Sequence, residues 1–281
     1  MTTLDNTIKA GVMGWPVGHS LSPRLHGFGL GEYGVNGTYD PLPVQPEDFK
    51  AALRNLPEQG FAGVNITVPH KEAAFEIVDT LDAVAKRIGA VNTVVVNADG
   101  SLAGSSTDGF GFLENLKEGV SGWSAGKGPA VVLGAGGASR AVTAALLDAG
   151  APGVKLVNRT LSRAEQLARD VGGAITVVPW EDRVAALGDA AILVNTTTLG
   201  MEGEESLKLD LDPLPAQAVV TDIVYAPLET PLLQQAKKRG NPTVDGLGML
   251  LHQARPGFRQ WFGVEPAVTD ALRAHVLEGL E

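Results

Sequence analysis

Lys71 follows Pro69-His70, where a strand-like run from Phe61 to Val68 gives way to a helical pattern. Asp108 follows Ser106-Thr107 and opens a second helical stretch. A lysine at a helix mouth is suited to proton exchange with a reacting group, and an adjacent carboxylate can hold and orient the lysinium. Spacing alone does not bring the two together, and each taken singly also reads as a helix-start or capping residue.

A second set of residues points to a nucleotide. The apolar run Pro129–Leu133 passes directly into Gly134-Ala135-Gly136-Gly137-Ala138-Ser139, and a helical stretch from Arg140 to Ala149 ends at Gly150 and Pro152. A second apolar run, Val154–Val157, then delivers Asn158, Arg159 and Thr160, with Arg163 three residues on. Strand, glycine turn, helix and parallel strand within about 30 residues make the βαβ unit that binds dinucleotides. Its glycines let backbone N–H groups approach a pyrophosphate at a helix N-terminus. Ser139 replaces the third glycine of the pattern, so helix–strand packing must tolerate a hydroxymethyl group. At the end of the second strand an NAD enzyme usually places a carboxylate for the ribose 2′-hydroxyl. The Arg159/Arg163 pair suits a 2′-phosphate instead and favours NADP over NAD. The competing reading is two surface arginines opening a helix at Leu161.

The elements that must position these groups alternate along the chain. Strands are expected at Thr7–Met13, Tyr33–Pro41, Phe61–Val68, Ala90–Val96 and Leu102–Ser105, the last two joined as a hairpin around Asn97-Ala-Asp99-Gly100. Helices are expected from Pro23, over Pro46–Leu53, Lys71–Val78 and Leu81–Ile88, and over Gly109–Glu118. Beyond Arg163 come a helix to Val171, a strand Ala174–Val178, a helix Glu181–Leu187 and a strand Ala191–Asn195. A strand Ala218–Val224, a helix Pro231–Arg239 and a short strand near Val244 follow. Gly246 to Glu281 is helical in period throughout. The pattern predicts an α/β fold in two domains, with a Rossmann-like doubly wound parallel sheet binding NADP.

At 281 residues the chain has room for two cores, and a net charge of −10 argues against nucleic acid or an anionic membrane as partner. With no cysteine there is no disulfide, thiolate metal site or cysteine nucleophile, which fits a reducing cytoplasm. The five histidines lack metal-site spacing, and no apolar run approaches the length of a membrane span. The N-terminus lacks the features of a signal peptide, so a cytoplasmic location is expected. Gly122-Trp123-Ser124-Ala125-Gly126 matches a nucleophile elbow in letters, but it lies in a linker ahead of a strand. Gly122, Gly126 and Lys127 fall one residue short of a phosphate-binding P-loop, and Gly128 occupies the hydroxyl position.

The ordered pieces Gly14-x-Pro16-x-x-His19-Ser20-x-Ser22-Pro23-x-x-His26, Asn65-x-Thr67-Val68-Pro69-x-Lys71, Gly89-Ala90-Val91-Asn92-Thr93 and Thr107-Asp108-Gly109 resemble the shikimate dehydrogenase (shikimate/quinate dehydrogenase) family. So do the glycine turn, Asn158-Arg159-Thr160-x-x-Arg163, Asn195-Thr-Thr-x-Leu-Gly200-Met201, Asp222-x-Val-Tyr225-x-Pro227 and Asp245-Gly246-Leu-Gly-Met249-Leu-x-x-Gln253. The resemblance covers nearly the whole chain. It implies reversible hydride transfer between NADPH and the C3 carbonyl of 3-dehydroshikimate, giving shikimate for chorismate and aromatic amino acid biosynthesis. It also implies a discontinuous substrate domain, residues 1–108 with 246–281, around an NADP-binding Rossmann domain, 109–245, in a monomer or homodimer.

By the same resemblance Lys71 and Asp108 form the catalytic pair, and Ser20 and Ser22 bind the substrate carboxylate, which Tyr225 closes over. Thr67, Lys71, Asn92, Asp108 and Gln253 surround the ring hydroxyls. The cofactor falls to Gly134, Ala135, Gly136, Gly137, Ala138, Ser139, Asn158, Arg159, Thr160, Arg163, Thr196, Thr197, Gly246 and Met249; no metal is implied. The family usually has Asn where this chain has Ser106 and Gly27. Taken alone, Ser20 and Ser22 read equally as N-caps, Asn92 as a hairpin residue, Gln253 as a solvated face and Asn195–Thr197 as a sheet-end turn. Two alternatives stay open: a quinate/shikimate dehydrogenase using NAD or NADP, and a non-catalytic NADP-binding sensor.

Overall fold

The computed structural model describes residues 7–280; residues 1–6 and Glu281, which the expected domain limits include, lie outside the described residues. The chain forms two compact units: residues up to Thr107 joined by those from Gln253 onward, and Asp108–His252.

In the first unit β1 (Ile8–Gly14) leads through α1 (Ser22–Glu32) to β2 (Gly37–Pro43), then α2 (Phe49–Arg54), β3 (Phe61–Ile66) and α3 (Lys71–Ile77). β4 (Thr80–Leu81), α4 (Ala83–Ile88), β5 (Thr93–Val96) and β6 (Leu102–Ser105) follow. The sheet order is β2-β1-β3-β5-β6-β4. β1 pairs parallel with β2 and β3, whereas β5 pairs antiparallel with β3 and β6, so this sheet is mixed. The reason is local: Asn97–Gly100 make a tight turn with Gly100 at φ 82°, which returns the chain antiparallel. One face buries Phe49, Leu53, Ile66, Val94 and Leu102; the other packs Val12 and Tyr39 against Phe258, Trp261 and Phe262.

In the second unit α5 (Asp108–Gly119) precedes β7 (Ala130–Leu133), α6 (Gly137–Asp148), β8 (Val154–Asn158), α7 (Leu161–Val171) and β9 (Ile175–Pro179). β10 (Ile192–Asn195), β11 (Val219–Asp222), α8 (Pro231–Arg239), β12 (Thr243–Val244) and α9 (Leu247–Phe262) complete it, the last helix running on into the first unit. All six strands are parallel in the order β12-β11-β10-β7-β8-β9. The direction of winding reverses between β7 and β10, where doubly wound sheets hold their ligands. β7 is a continuous apolar run, and both it and β10 are fully buried, as a sheet covered on both faces requires.

Two expectations need correction. Glu181–Leu187 is not a helix but part of two 3-10 turns, Trp180–Asp182 and Ala185–Leu187. The Arg183 guanidinium donates back to the carbonyls of Trp180 and Lys208, and Val184, Ala186 and Leu187 pack into the core, a packing that local helix propensity cannot override. The C-terminal region is two helices, α9 and α10 (Asp270–Leu277), separated by a non-helical stretch. The second break between the compact units falls between His252 and Gln253, inside α9. Just ahead of α9, within the second unit, Asn115 Nδ2 donates to the Asp245 carbonyl at 2.7 Å.

Candidate functional site

The glycine turn leaves β7 at Gly134, whose φ of +109° strongly favours glycine. A Cβ there would also stand 2.8 Å from Thr196 Oγ1. Ser139 is fully buried, and its hydroxyl donates to the Gly134 carbonyl at 2.6 Å. The residue that breaks the glycine pattern therefore locks the turn that it ends. α6 begins at Gly137 with no side-chain cap, and Ala135 lies buried beneath the turn while Gly137 and Ala138 stay half-buried. A Cβ on Gly136 would meet nothing within 4 Å. That open space beside uncapped backbone N–H groups fits a dinucleotide pyrophosphate. Gly136→Val should therefore fold normally yet weaken NADP binding about 10- to 100-fold, measured by fluorescence titration. Unchanged affinity would remove the turn from the cofactor site.

At the end of β8, Asn158 Nδ2 donates to the Thr160 carbonyl at 2.8 Å, and Arg159 and Arg163 are exposed. The Arg159 side chain has no ion-pair partner among the described residues. At the end of β10, Thr196 Oγ1 donates to the Leu133 carbonyl at 2.6 Å and Thr197 Oγ1 to Asn195 Oδ1 at 2.7 Å. Both hydroxyl protons are used to build the turn, and Thr197 Oγ1 also accepts from the Leu199 N–H at 3.2 Å. Gly246 is glycine for packing, since a Cβ would stand 2.4 Å from the Ile223 carbonyl; Met249 is buried in the same unit.

Asp222, absent from the expected site, ties the end of β10 to the connection between β11 and α8. Its carboxylate accepts from Asn195 Nδ2 (3.0 Å), Thr230 Oγ1 (2.8 Å) and the Val224 N–H (3.1 Å). Tyr225 lies three residues after Asp222, half-buried, with burial pushing its phenol pKa up. Burial pushes the Asp222 carboxyl up to about 6, against the three donors that favour its ionised form. A raised folded-state pKa means that this group's contribution to stability is full below the ordinary value of 3.8 and is lost as pH rises through about 6. Asp222→Asn cannot ionise, so its stability should gain on the wild type by roughly 2 kcal/mol between about pH 4 and about pH 7. Paired thermal melts check this, and a constant difference would refute it.

In the first unit the backbone gathers several expected substrate residues. The Val91 N–H donates to the Lys71 carbonyl at 2.9 Å, the Ile66 N–H to the Asn92 carbonyl at 2.8 Å and the Thr67 N–H to the Met13 carbonyl at 2.9 Å. Lys71, the first residue of α3, is half-buried. Before it, His70 is buried, its Nε2 2.7 Å from the Val44 carbonyl and its ring stacked on Phe49 at 4.2 Å. Asn92 is buried at the foot of the β5–β6 hairpin, where its N–H donates to the Ser105 carbonyl at 3.1 Å. Its Oδ1 accepts from the Thr107 N–H (2.8 Å), and its Nδ2 donates to Thr107 Oγ1 (2.9 Å) and Gln253 Oε1 (3.3 Å). Gln253 is buried as well, so it is no solvated helix face. Neither serine caps α1: Leu21 holds that position without a side-chain bond, Ser20 Oγ accepts from the Ser22 N–H at 3.3 Å, and Ser22 is buried.

Asp108 is the first residue of α5, buried, and opens the second unit directly after Thr107. The network also holds Tyr39, Asn65 and Thr93, which sequence reasoning did not place in the site. The available signal was Asn65 and Thr93 themselves, polar residues inside apolar strand runs. Among the described residues no group of three or more histidine, aspartate or glutamate side chains could hold a metal, and no helix is long and apolar enough to cross a membrane.

Three family models match successive parts of the chain: the shikimate dehydrogenase substrate binding domain over residues 12–94, shikimate/quinate 5-dehydrogenase over 120–202, and the shikimate 5′-dehydrogenase C-terminal domain over 246–277. A shikimate dehydrogenase (NADP(+)) of Paramagnetospirillum magneticum is 60% identical over 268 residues, 95% of this chain and 97% of that one. Among solved structures, shikimate 5-dehydrogenase of Thermus thermophilus in complex with NADP(H) and shikimate is 40% identical with a TM-score of 0.84, covering 98% of each chain. Quinate dehydrogenase of Corynebacterium glutamicum in complex with NAD is 32% identical with a TM-score of 0.89, covering 97% of this chain and 99% of that one. With the glycine turn, the doubly wound sheet and the buried amide network in place, these likenesses put the chain in the shikimate dehydrogenase family.

Proposed function

We propose that this chain is an NADP-dependent shikimate dehydrogenase that interconverts 3-dehydroshikimate and shikimate on the route to chorismate and the aromatic amino acids. The observation that carries this reading is 60% identity, over 95% of the chain, to an NADP-dependent shikimate dehydrogenase. The chemistry of the first unit supports it. A hydroxylated ring needs several neutral donors and acceptors, each of which discriminates when left unmatched. Asn92, Thr107 and Gln253 are such groups, buried and already connected.

In this reading the first unit binds substrate and the second binds NADP. Ser20 and Ser22 hold the substrate carboxylate and Tyr225 closes over it, while Thr67, Asn92 and Gln253 meet the ring hydroxyls. When bound, the cofactor supplies the hydride, and the residues that would hold it are Gly134 to Ser139, Asn158 to Thr160, Arg163, Thr196, Thr197, Gly246 and Met249. Lys71 Nζ gives a proton to the oxygen that becomes the alcohol, or takes it back in the reverse direction, and Asp108 orients Lys71. The absence of cysteine fits a cytoplasmic enzyme, working as a monomer or homodimer.

The likeness to an NAD-bound quinate dehydrogenase supports a second reading, a quinate/shikimate dehydrogenase. Following reduced-cofactor absorbance with shikimate and quinate, each paired with NADP and NAD, separates the two. Turnover of shikimate with NADP above the other three pairs is the expected result. No turnover of that pair would sink the proposal.

A further inference from the structure

Two buried amides in the first unit have their orientations dictated by the backbone. The Thr107 N–H can only donate, so the Asn92 atom that it meets at 2.8 Å is the oxygen. The Asn92 carbonyl can only accept, so the Asn65 atom 3.1 Å away is the nitrogen. From these two fixed points the remaining bonds run in one direction. Tyr39 Oη donates to Asn65 Oδ1 at 2.6 Å, and Asn65 Nδ2 donates to Thr93 Oγ1 at 3.2 Å. Thr93 Oγ1 donates to Asn92 Oδ1 at 3.1 Å, and Asn92 Nδ2 donates to Gln253 Oε1 at 3.3 Å. Gln253 thus turns its amide oxygen toward Asn92 and its nitrogen the other way.

At the head of this relay Tyr39 is held by its surroundings. Its ring stacks on the buried His26 with centroids 3.8 Å apart and planes 8° apart, and Trp261 closes in at 6.1 Å. Burial drives the His26 pKa down to about 3, so the ring beneath the phenol is neutral. Burial likewise pushes the Tyr39 phenol well above its ordinary range, which keeps it a donor, and the Ser22 hydroxyl beside it works the other way. One phenol therefore touches Ser22, a residue of the proposed carboxylate site, and Asn65, the entry to the amides of the proposed hydroxyl site.

We propose that Tyr39 is a positioning residue for the substrate: its hydroxyl holds Asn65 Oδ1 and so steadies the head of a relay through Asn65, Thr93 and Asn92, whose sense the backbone sets and which orients Gln253 toward the substrate hydroxyls. The inference rests on shikimate being the substrate. Tyr39→Phe keeps the stack on His26 and removes only the donor. It should raise KM for shikimate about tenfold, leave KM for NADP unchanged and alter kcat by less than about threefold. Thr93→Val interrupts the same relay away from Tyr39 and should have a similar effect. In an Asn65→Ala background, Tyr39→Phe should add nothing, because the link that it acts through is gone. Shikimate turnover with KM unchanged in both single variants, or additive effects in the double variant, would overturn the inference alone. Absence of shikimate turnover by the wild type would overturn the substrate reading and this inference with it.

Discussion

Lys71→Ala is expected to lower kcat by about 10³-fold or more while shikimate binding, measured by equilibrium titration, changes only a few-fold. Proton transfer at a developing alcohol oxygen matters in the transition state and little in the ground state, so its loss falls on kcat. The fold around Lys71 favours a clean experiment. Its helix start is anchored from outside the lysine side chain, by the His70 ring bonded to the Val44 carbonyl and stacked on Phe49. Val91 holds the Lys71 carbonyl through the backbone, a bond that alanine keeps. Removing a half-buried side chain at this point should leave the melting temperature close to that of the wild type. A large rise in KM with unchanged kcat would instead make Lys71 a binding residue.

Arg159→Ala is expected to raise KM for NADP about 10- to 100-fold and to leave KM for NAD within about twofold. The 2′-phosphate is the only chemical difference between the cofactors, so a residue that reads it must discriminate between them. Arg159 is exposed, and its side chain has no ion-pair partner among the described residues, so the substitution breaks no ion pair there. Equal losses for both cofactors would show that Arg159 holds something other than the phosphate. Because Arg163 lies in the first turn of α7, Arg159→Ala/Arg163→Ala should lose more for NADP than the single variant and still nothing for NAD.

Periodicity found elements in proportion to the length of their patterns. α7, Leu161–Val171, and α8, Pro231–Arg239, are where period and capping residues put them: Thr230 caps α8 by accepting from Leu233, and Gly240 closes it in the left-handed conformation. β4, two residues long, has no period to read, and the 3-10 turns after Trp180 answer to packing rather than propensity. The glycine turn was legible because its geometry is local: Ser139 lies five positions after Gly134, and the hydrogen bond between them needs nothing distant.

The sequence by itself determined the βαβ unit, the absence of cysteine chemistry and, through ordered motifs, the family. Each depends on residue types at short spacing, which local sterics and chemistry translate directly into structure. Tertiary structure alone decided the hydrogen-bond partners of Asp222 and of Tyr39, Asn65, Asn92 and Gln253. Their contacts join residues that lie 26, 27 and 161 positions apart, and nothing in a linear pattern says which amide will meet which. Nor could spacing give a direction to those bonds. That follows from two fixed backbone groups, the Thr107 N–H and the Asn92 carbonyl, which reach the amides only after the sheet has formed and β5 has turned back against β3.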